Sequence, residues 1–374
     1  MQPNVHPARS DRFLRWLLRN ILPHALAIVV VLGLVHWLLP PFWGSPGLEY
    51  KVAHVEHADG RYERVFVGSS HLFRQVVPHI LDSTLHDGSH SFVVALNAVN
   101  SPEAEIACEH ILGSDHPPKD VFLELMPYTT FNEQSFANYR SWYFVGGQAC
   151  ATLVRHHFAQ AGAATHERVL RVASDLRAFL YAGFLPGAKD RFAGEGGRMD
   201  TATVMGPGSD GHVPFEWQCA REPDNVNLRE RQKAVRADTA EVGRRAKAIA
   251  REIAGQSNAK LSMVHQRHII ELMALADERG VRLRFILPPL WLVHEESAWA
   301  LLMSLPADHR VDLCDPAKYP EFYHMANIFD AGHLNAAGAK LFTLRLAEHI
   351  TAQTTPLHAQ SISGAGCFAS FVER

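Results

Sequence analysis

The sequence has few of the residues that would build a disulfide scaffold or a metal centre. It holds five cysteines in 374 residues, too few to staple a chain of this size, and an odd number leaves at least one thiol free. Its 23 histidines are scattered, and neither an HExxH nor a CxxC pattern gathers them. The sequence therefore predicts no metal site and no cofactor, and it leaves the pairing of the cysteines open.

A strong charge bias is also absent. The formal net charge of -3 gives no reason to expect nucleic-acid binding. With 47% apolar and 20% charged residues, the composition is that of a globular chain and not of a disordered one. No internal repeat is found. We therefore expect a chain that buries its own core and has no nucleic-acid partner.

One segment near the N-terminus lacks charged residues altogether. Residues 21–39, ILPHALAIVVVLGLVHWLL, contain no Asp, Glu, Lys or Arg, and a helix of 19 residues is long enough to cross a hydrocarbon core of about 30 Å. Residues 1–20 carry four arginines, whereas the first Lys or Arg after the run is Lys51. The positive-inside rule predicts one transmembrane helix in the cytoplasmic (inner) membrane, with residues 1–20 in the cytoplasm and the rest of the chain periplasmic or otherwise extracytoplasmic.

Two alternatives to this transmembrane helix are a cleaved signal peptide and a buried core helix. The apolar run is long for a signal peptide, and the following PPFWGSPG offers no good small-x-small cleavage site. Residues 40–60 begin with closely spaced prolines and glycines, which is typical of a linker.

Residues 61–350 show the alternation of an α/β domain. Apolar runs near residues 65, 91, 119, 281 and 311 are typical of parallel strands buried on both faces. The alternation stops between about 149 and 279, where helical patterns bracket a glycine-rich polar loop. We interpret this stretch as a helical insertion that covers the site. Residues 351–374 are predicted to be a C-terminal tail.

The first motif is VFVGSSHLFR, residues 65–74. A β-branched and aromatic run predicts a buried strand, Gly68 breaks it, and two serines precede a segment with helical character. Such a turn exposes a serine Oγ and places free backbone N–H groups where an oxyanion would form. The alternative is a plain strand-to-helix turn with a serine N-cap.

The second motif is FDAGHLNAAGA, residues 329–339, in which Asp330 and His333 are three residues apart. An imidazole base with a carboxylate that fixes its tautomer is what a nucleophilic serine needs. The alternative makes Asp330 a turn residue, Asn335 the N-cap of a helix from Ala336 to about Ile350, and His333 merely exposed. Because the two motifs lie at the first strand and the last helix of one α/β pattern, we favour the catalytic interpretation.

With these two motifs the sequence resembles the SGNH (GDSL-like) hydrolase superfamily. Its first block is a glycine and serine turn after strand one, and its last block is DxxH before the final helix. The match is closest to the membrane-anchored branch that contains the D-alanyl-lipoteichoic acid transfer protein and other proteins associated with membrane-bound O-acyltransferases. The resemblance covers about residues 60–350 and implies a three-layer, flavodoxin-like parallel sheet. It also implies Ser70 as nucleophile, His333 as base and Asp330 as the acid that orients His333.

The middle blocks of the family are less clear in this chain. The resemblance implies an oxyanion hole formed by Ser70, Ala95 and Asn97, with Ala95 where the family has a glycine. An alanine supplies the same N–H if its φ is negative. Asn100 and Asn132 are further candidates for the family's third-block asparagine.

The resemblance implies a membrane-anchored serine O-acyltransferase that moves an acetyl or similar group onto a cell-envelope or secreted polysaccharide. Its partners would be the lipid bilayer, the polysaccharide or acyl donor, and a membrane-bound O-acyltransferase. One alternative is an esterase that deacetylates the same polymer, since water and a sugar hydroxyl differ little as acceptors. Another is a non-catalytic, membrane-tethered partner of such an acyltransferase.

Two charged features have structural interpretations. Glu124, inside the third apolar run, is expected to be a paired or hydrogen-bonded carboxylate. The basic residues between 229 and 251 alternate with acids, which favours a solvated helical face over a surface for anionic ligands.

Overall fold

The centre of the molecule is a five-stranded sheet in which every pair of neighbouring strands is parallel. The computed structural model describes residues 16, 18–38, 46–127, 158, 164–182, 200–291, 293, 294 and 296–354. The strands are β1 (Arg64–Gly68), β2 (Ser91–Ala95), β3 (Asp120–Glu124), β4 (Arg282–Leu287) and β5 (Arg310–Asp312). Their order, β2-β1-β3-β4-β5, is that of flavodoxin-like sheets. The α/β prediction is confirmed.

The strands form where the sequence is continuously apolar. All five residues of β1, of β2 and of β3 are buried, as parallel strands covered on both faces must be. Register is tight along the centre: Gly68 pairs with Ala95, and Phe66 pairs with Phe122. The rings of Phe66 and Phe122 stack with centroids 4.7 Å apart, so side-chain packing as well as backbone hydrogen bonds holds β1 against β3.

Thirteen α-helices are described, numbered in chain order. They are α1 (Leu22–Leu38), α2 (Pro46–Glu56), α3 (Ser70–Gln75), α4 (Pro78–Leu85), α5 (Ser101–Gly113), α6 (Thr165–Ala182), α7 (Thr201–Met205), α8 (Phe215–Arg221), α9 (Val226–Ala237), α10 (Ala240–Ile253), α11 (Met263–Glu278), α12 (Ala298–Ser304) and α13 (Ala336–Thr354). Short 3₁₀ turns occur at Ala307–His309, Pro320–Tyr323 and Met325–Asn327. A two-stranded antiparallel hairpin, β6 (Ile328–Asp330) and β7 (His333–Leu334), precedes α13.

The helices fall into two packed sets. The connection from β1 to β2, which contains α3 and α4, crosses the sheet in one direction. The connections from β2 to β3 and from β3 to β4, which contain α5 and α11, cross it in the opposite direction. Because parallel crossovers are right-handed, α3 and α4 lie on one face of the sheet and α5 and α11 on the other. In agreement, α13 contacts α3 and α4, whereas α5 contacts α2 and α11. Thr343 of α13 accepts a hydrogen bond from Val77 N (3.0 Å) and donates one to Gln75 O (3.1 Å). This joins the last helix to the helices that follow the first strand.

Residues 46–56, inside the stretch expected to be a linker, form α2 and belong to the packed domain. Leu48, Val52 and Val55 are buried in the main core. Lys51 is fully buried, and its Nζ donates to Ala95 O (2.8 Å) and Gly211 O (2.7 Å). Burial lowers the pKa of Lys51 well below its ordinary value.

In its described parts the predicted insertion contains six helices, α6 to α11, joined by loops. A loop at residues 206–213 runs along β2: Asp210 O accepts from Val93 N at 3.0 Å. Gly211, with φ +85°, lies so close to β2 that a Cβ there would be 2.2 Å from Val93 O. Residues 183–199, which include the first half of the predicted polar loop, lie outside the described residues.

The apolar run 21–39 contains the 17-residue helix α1. Its described side chains are largely exposed, among them Leu22 (53%), Leu26 (62%) and Ile28 (59%). Within the parts of the chain that the structure describes, no helix is both long enough and apolar enough to cross a membrane. Of the predicted tail, residues 351–354 continue α13, and the rest lies outside the described residues.

Candidate active site

The candidate site lies where the order of the strands reverses. β1 is an interior strand: its successor β2 lies on one side of it, and the later strands lie on the other. In open α/β sheets, ligands bind in the crevice that this reversal leaves at the carboxyl ends of the strands. Ser69 and Ser70 follow the end of β1 directly, so the first motif stands at this crevice.

Gly68 is required at the end of β1 because another strand passes too close for a side chain. A Cβ on Gly68 would lie 2.5 Å from Glu124 Oε2 and 2.7 Å from Glu124 Cβ. Ser69 then acts as the N-cap of α3, since its Oγ accepts from His71 N at 3.3 Å. The capping role thus belongs to Ser69, and the hydroxyl of Ser70 remains for other partners.

Ser70, His333 and Asp330 form one chain of hydrogen bonds. Ser70 Oγ lies 2.8 Å from His333 Nε2, and His333 Nδ1 lies 2.8 Å from Asp330 Oδ1. The carboxylate can only accept, so Nδ1 carries the proton and Nε2 is left to accept from the serine. The structure therefore brings together the three residues that the two motifs predicted as nucleophile, base and orienting acid, although they come from opposite ends of the domain.

The β6–β7 hairpin fixes the geometry of Asp330 and His333. The two residues pair across the hairpin, and Gly332 N donates to Asp330 Oδ1 at 2.8 Å. Asn335 caps α13, with its Oδ1 accepting from Gly338 N at 2.9 Å. Capping by Asn335 agrees with the alternative interpretation of this segment, but His333 is 9% exposed and therefore buried. Asn335 therefore has the capping role of the alternative interpretation, whereas Asp330 and His333 have the buried, hydrogen-bonded arrangement of the catalytic interpretation.

Burial and neighbouring charges set the protonation states. Burial lowers the pKa of His333 to about 4; the contact with Asp330 opposes this, and the positive charge of Arg231 adds to it. Burial favours the neutral carboxyl of Asp330, but the hydrogen bond from His333 and the charge of Arg231 outweigh it and lower its pKa to about 2. At neutral pH the site therefore holds a neutral imidazole next to an ionised carboxylate.

Arg231 of α9 reaches the site from the insertion. Its guanidinium forms an ion pair with Asp330 Oδ2, and its Nη2 lies 3.0 Å from His333 Nδ1. The prediction of a solvated face is wrong for this residue, although its side chain remains 39% exposed. The charge alternation along α9 gave no signal that one arginine would turn inward, because its partner lies 99 positions away in the sequence.

Aromatic rings close one side of the imidazole. Phe215 of α8 meets the ring of His333 edge-on, with centroids 5.1 Å apart at 73°. Phe215 also stacks on Phe329, at 4.2 Å and 5°. Such contacts hold the imidazole in one rotamer and keep water from that side. Sequence reasoning missed Phe215, since a lone aromatic residue in an insertion has no distinctive spacing.

The predicted oxyanion-hole residues lie at the end of β2, beside the end of β1. Ala95 is the last residue of β2, is buried, and is not among the residues with positive φ. Asn97 follows in the turn, and its Oδ1 accepts from Arg74 Nη2 at 3.1 Å. Asn100 is the N-cap of α5, where its side chain accepts from Glu103 N at 3.1 Å. Asn132 lies outside the described residues.

Arg74 holds this turn in place. It is buried, and besides Asn97 it donates to Val213 O (2.8 Å) and to Gln218 Oε1 (2.6 Å). Its guanidinium lies 4.2 Å from the centroid of Phe215. Burial lowers the pKa of Arg74 to about 9. This residue was not singled out from the sequence, although it stands within the first motif.

Glu124 of β3 binds the start of α3. Its carboxylate accepts from Ser69 N (2.6 Å), from Ser69 Oγ (2.8 Å) and from His71 Nδ1 (2.9 Å). The predicted structural role of Glu124 is confirmed. The imidazole of His71 stacks on that of His333, with centroids 5.2 Å apart at 25°. His71 was also missed, although it directly follows Ser70.

The cysteines do not offer a rival nucleophile in the described part of the chain. Cys108, Cys219 and Cys314 are free thiols, and burial raises the pKa of Cys108 and of Cys314, which suppresses the reactive thiolate. Cys150 and Cys367 lie outside the described residues. Among the residues with described positions, no group of three or more His, Cys, Asp or Glu side chains is arranged to hold a metal ion.

No protein-family model matches the sequence, and no curated protein matches it at a significant level.

Proposed function

We propose that this chain is a serine acyl-transfer enzyme of the SGNH type. The observation that carries the proposal is the hydrogen-bonded chain from Ser70 Oγ through His333 to Asp330, with both contacts at 2.8 Å. Its placement at the strand reversal, with a neutral base facing the hydroxyl, is what nucleophilic catalysis by serine requires.

The reaction begins with attack of Ser70 Oγ on an ester carbonyl. His333 Nε2 takes the serine proton and passes it to the leaving group, which leaves an ester of the acyl group on Ser70. An acceptor hydroxyl then attacks that ester, gives its proton to His333, and departs with the acyl group while the proton returns to Ser70 Oγ. Asp330 stabilises the imidazolium formed in each half-reaction.

The oxyanion formed in each half-reaction needs donors at the edge of the sheet where β1 and β2 end. The N–H of Ser70 lies at the start of α3, and Ala95 and Asn97 lie at the end of the neighbouring strand. We assign these three groups to the oxyanion hole. Arg74, which binds the carbonyl oxygen of the Asn97 side chain, restrains the orientation of that amide.

The proposed substrate is a cell-envelope or secreted polysaccharide that receives an acetyl or similar group. The resemblance in the two motifs and the apolar run near the N-terminus support this choice over a freely diffusing ester. If water replaces the sugar hydroxyl as acceptor, the same site is a polysaccharide esterase. A membrane-bound O-acyltransferase is the proposed partner that supplies the acyl group.

The proposal includes anchoring at the cytoplasmic membrane through residues 21–39, with the domain outside the cytoplasm. The exposed apolar side chains of α1 support the anchoring. The four arginines before this helix support the orientation with the domain outside the cytoplasm. A reporter enzyme that works only outside the cytoplasm, fused after Arg374, should be active. Activity of a cytoplasm-only reporter at the same point would contradict the orientation and the choice of an envelope substrate.

The catalytic proposal is tested with the full-length protein in detergent micelles. A fluorophosphonate probe should label Ser70, located by peptide mass spectrometry, and p-nitrophenyl acetate should be hydrolysed. Ser70→Ala should abolish both, whereas Ser83→Ala, at an exposed serine of α4, should change neither. Absence of labelling in the wild-type protein would favour the non-catalytic tethered partner.

A further inference from the structure

A second histidine–carboxylate pair lies directly beside Ser70. His71 Nδ1 is 2.9 Å from Glu124 Oε1, and the side chain of Glu124 is only 1% exposed. The same carboxylate accepts from the backbone N and the hydroxyl of Ser69. Because Glu124 is an acceptor for three donors, Nδ1 of His71 carries the proton, and in neutral His71 the Nε2 atom has the free lone pair.

The free nitrogen of His71 is open to solvent. The side chain is 17% exposed, and Nε2 is not among the buried atoms that lack a partner. Within the described part of the chain, Nδ1 accounts for the hydrogen bonds of this ring. The site therefore has two imidazoles, stacked with centroids 5.2 Å apart, and each has a proton-bearing Nδ1 facing a carboxylate. The Nε2 of His333 faces Ser70, and the Nε2 of His71 remains available to a ligand.

The two imidazole rings lie face to face with centroids 5.2 Å apart, so a ligand with two neighbouring hydroxyl groups can donate one hydrogen bond to each Nε2 atom. An alcohol has one O–H on the attacking oxygen, and that proton goes to His333. A second hydroxyl on the neighbouring carbon, about one hydrogen-bond length from the first, can donate to His71 Nε2. A simple alcohol cannot fill both positions, whereas a vicinal diol such as a sugar ring presents can do so.

We propose that His71 and Glu124 form an acceptor subsite that selects vicinal diols, an inference that rests on the proposed function. In the second half-reaction one hydroxyl of the diol attacks the acyl carbonyl and loses its proton to His333 Nε2. The bond between the carbonyl carbon and Ser70 Oγ breaks, and His333 returns the proton to the serine. The neighbouring hydroxyl donates a hydrogen bond to His71 Nε2 throughout, so His71 gains and loses no proton.

The test is a competition between two isomeric diols. The full-length protein in micelles receives p-nitrophenyl acetate with equal concentrations of propylene glycol, whose hydroxyls are vicinal, and trimethylene glycol, whose hydroxyls are not. The monoacetates are separated by chromatography and summed for each diol, since propylene glycol gives two regioisomers, and the ratio of the two sums is divided by the same ratio from imidazole-catalysed acetylation without protein. We expect about a five- to tenfold preference for the vicinal diol, which corresponds to one hydrogen bond.

Two substitutions at one position separate binding from structure. In His71→Asn the amide reaches Glu124 as Nδ1 does but leaves the Nε2 position empty, so the preference should disappear. In His71→Gln the amide reaches the Nε2 position, so part of the preference should return. His79→Asn, at a histidine whose side chain is 72% exposed, should keep the wild-type ratio. Because each readout is a ratio within one mixture, it does not depend on the overall rate.

The outcomes distinguish this inference from the proposed function. Equal corrected yields of the two acetates in the wild-type protein would overturn the diol subsite while labelling of Ser70 still supports the enzyme. A full preference in His71→Asn would likewise overturn the role of His71. If Ser70 is not labelled in the wild-type protein, the proposed function itself fails. Labelling of Ser70 in each His71 variant shows that the variant is folded.

Discussion

At the scale of single residues, the candidate site depends on how one carboxylate is shared. Asp330 accepts from His333 Nδ1 and from Gly332 N through the same oxygen, Oδ1, while Oδ2 faces Arg231. The first contact sets the tautomer of the base and the second shapes the hairpin. An asparagine at this position could still accept from Gly332 N but would lack the negative charge next to His333. Substitution of Asp330 by asparagine can therefore separate the structural role from the role in orienting the base.

We expect Asp330→Asn to lower kcat by about 10²- to 10⁴-fold and to leave the melting temperature within a few degrees of wild type. His333→Ala should be at least as impaired, and the double variant little worse than His333→Ala, because residues that act as one unit give non-additive losses. Esterase assays and thermal melts check both. Asp308→Asn, at an exposed aspartate, is the matched control. Near-normal turnover in Asp330→Asn would leave this residue with a structural role alone.

The pH dependence follows from the environment of His333. Its pKa of about 4 means that kcat/KM should rise through this pH and be flat near neutrality. The positive charge of Arg231 lowers that pKa, so Arg231→Gln should raise it and move the acidic limb to higher pH. Arg229→Gln, at an exposed arginine on the same helix, removes the same charge away from the site and should not move the limb. A limb that stays in place or moves to lower pH in Arg231→Gln would contradict the arrangement.

Sequence reasoning reached only part of the site at this scale. Ser70, Asp330 and His333 lie in short motifs whose spacing carries chemical meaning, and the structure brings them together. Arg231 and Phe215 lie on helices of the insertion, and their relation to His333 depends on how those helices pack. No local pattern encodes that packing, so these residues were invisible in the sequence.

At the scale of secondary structure, the approach of β1 to β3 positions the start of α3. Glu124 at the end of β3 accepts from Ser69 and His71 only because Gly68 has no side chain. The site therefore depends on a contact between two strands as much as on the residues that do chemistry.

We expect Gly68→Ala to reduce the free energy of unfolding by about 1–3 kcal/mol, as overpacking does, and to reduce activity by displacing Glu124 from Ser69. Gly113→Ala is the control, because a Cβ there meets no atom within 4 Å and alanine suits a helix better than glycine does. Urea denaturation of both variants measures the effect. Equal stability of Gly68→Ala and wild type would show that β3 can move aside without cost.

The elements were largely predictable because their signals are local. The strands carry apolar runs of the expected length, and each was placed within a few residues. The segment with helical character that follows the two serines is in fact two helices, α3 and α4, separated at Val76 and Val77. Pro78 at the first position of α4 explains the break, since the residue before a proline avoids the helical conformation.

At the scale of the whole molecule, a buried cluster of histidines and glutamates ties α5 to α11. His265 lies between Glu105 (2.8 Å) and Glu296 (2.9 Å), and His268 contacts Glu105 and Glu109. Burial alone would lower the pKa of both histidines, but these carboxylates raise it to about 9 for His265 and about 10 for His268. The two helices are therefore held together by protonated imidazoles at neutral pH.

These raised pKa values predict how stability depends on pH. Both folded-state values lie above the unfolded value of about 6.5, so the stabilisation is complete below that pH and is lost as the pH rises through about 9 to 10. Urea unfolding across this range should show a falling free energy of unfolding. His268→Gln should flatten the fall, whereas His90→Gln, at an exposed histidine, should not. If the free energy of unfolding of His268→Gln fell with pH as steeply as that of the wild type, His268 would not form stabilising ion pairs with Glu105 and Glu109.

The hydrogen bond between Ser70 and His333 joins residues 263 positions apart, so it can form only after most of the domain has been synthesised. Ser70 is synthesised early, but His333 lies beside it only once the β6–β7 hairpin and α13 pack against α3 and α4. Closing a contact of such sequence separation costs the conformational entropy of the chain between the two residues, which favours its formation after the parts of the domain that it joins are ordered. We therefore expect Ser70 to react with a fluorophosphonate probe only after this contact has formed. In refolding experiments, labelling of Ser70 should follow the slowest phase, after most of the sheet has formed.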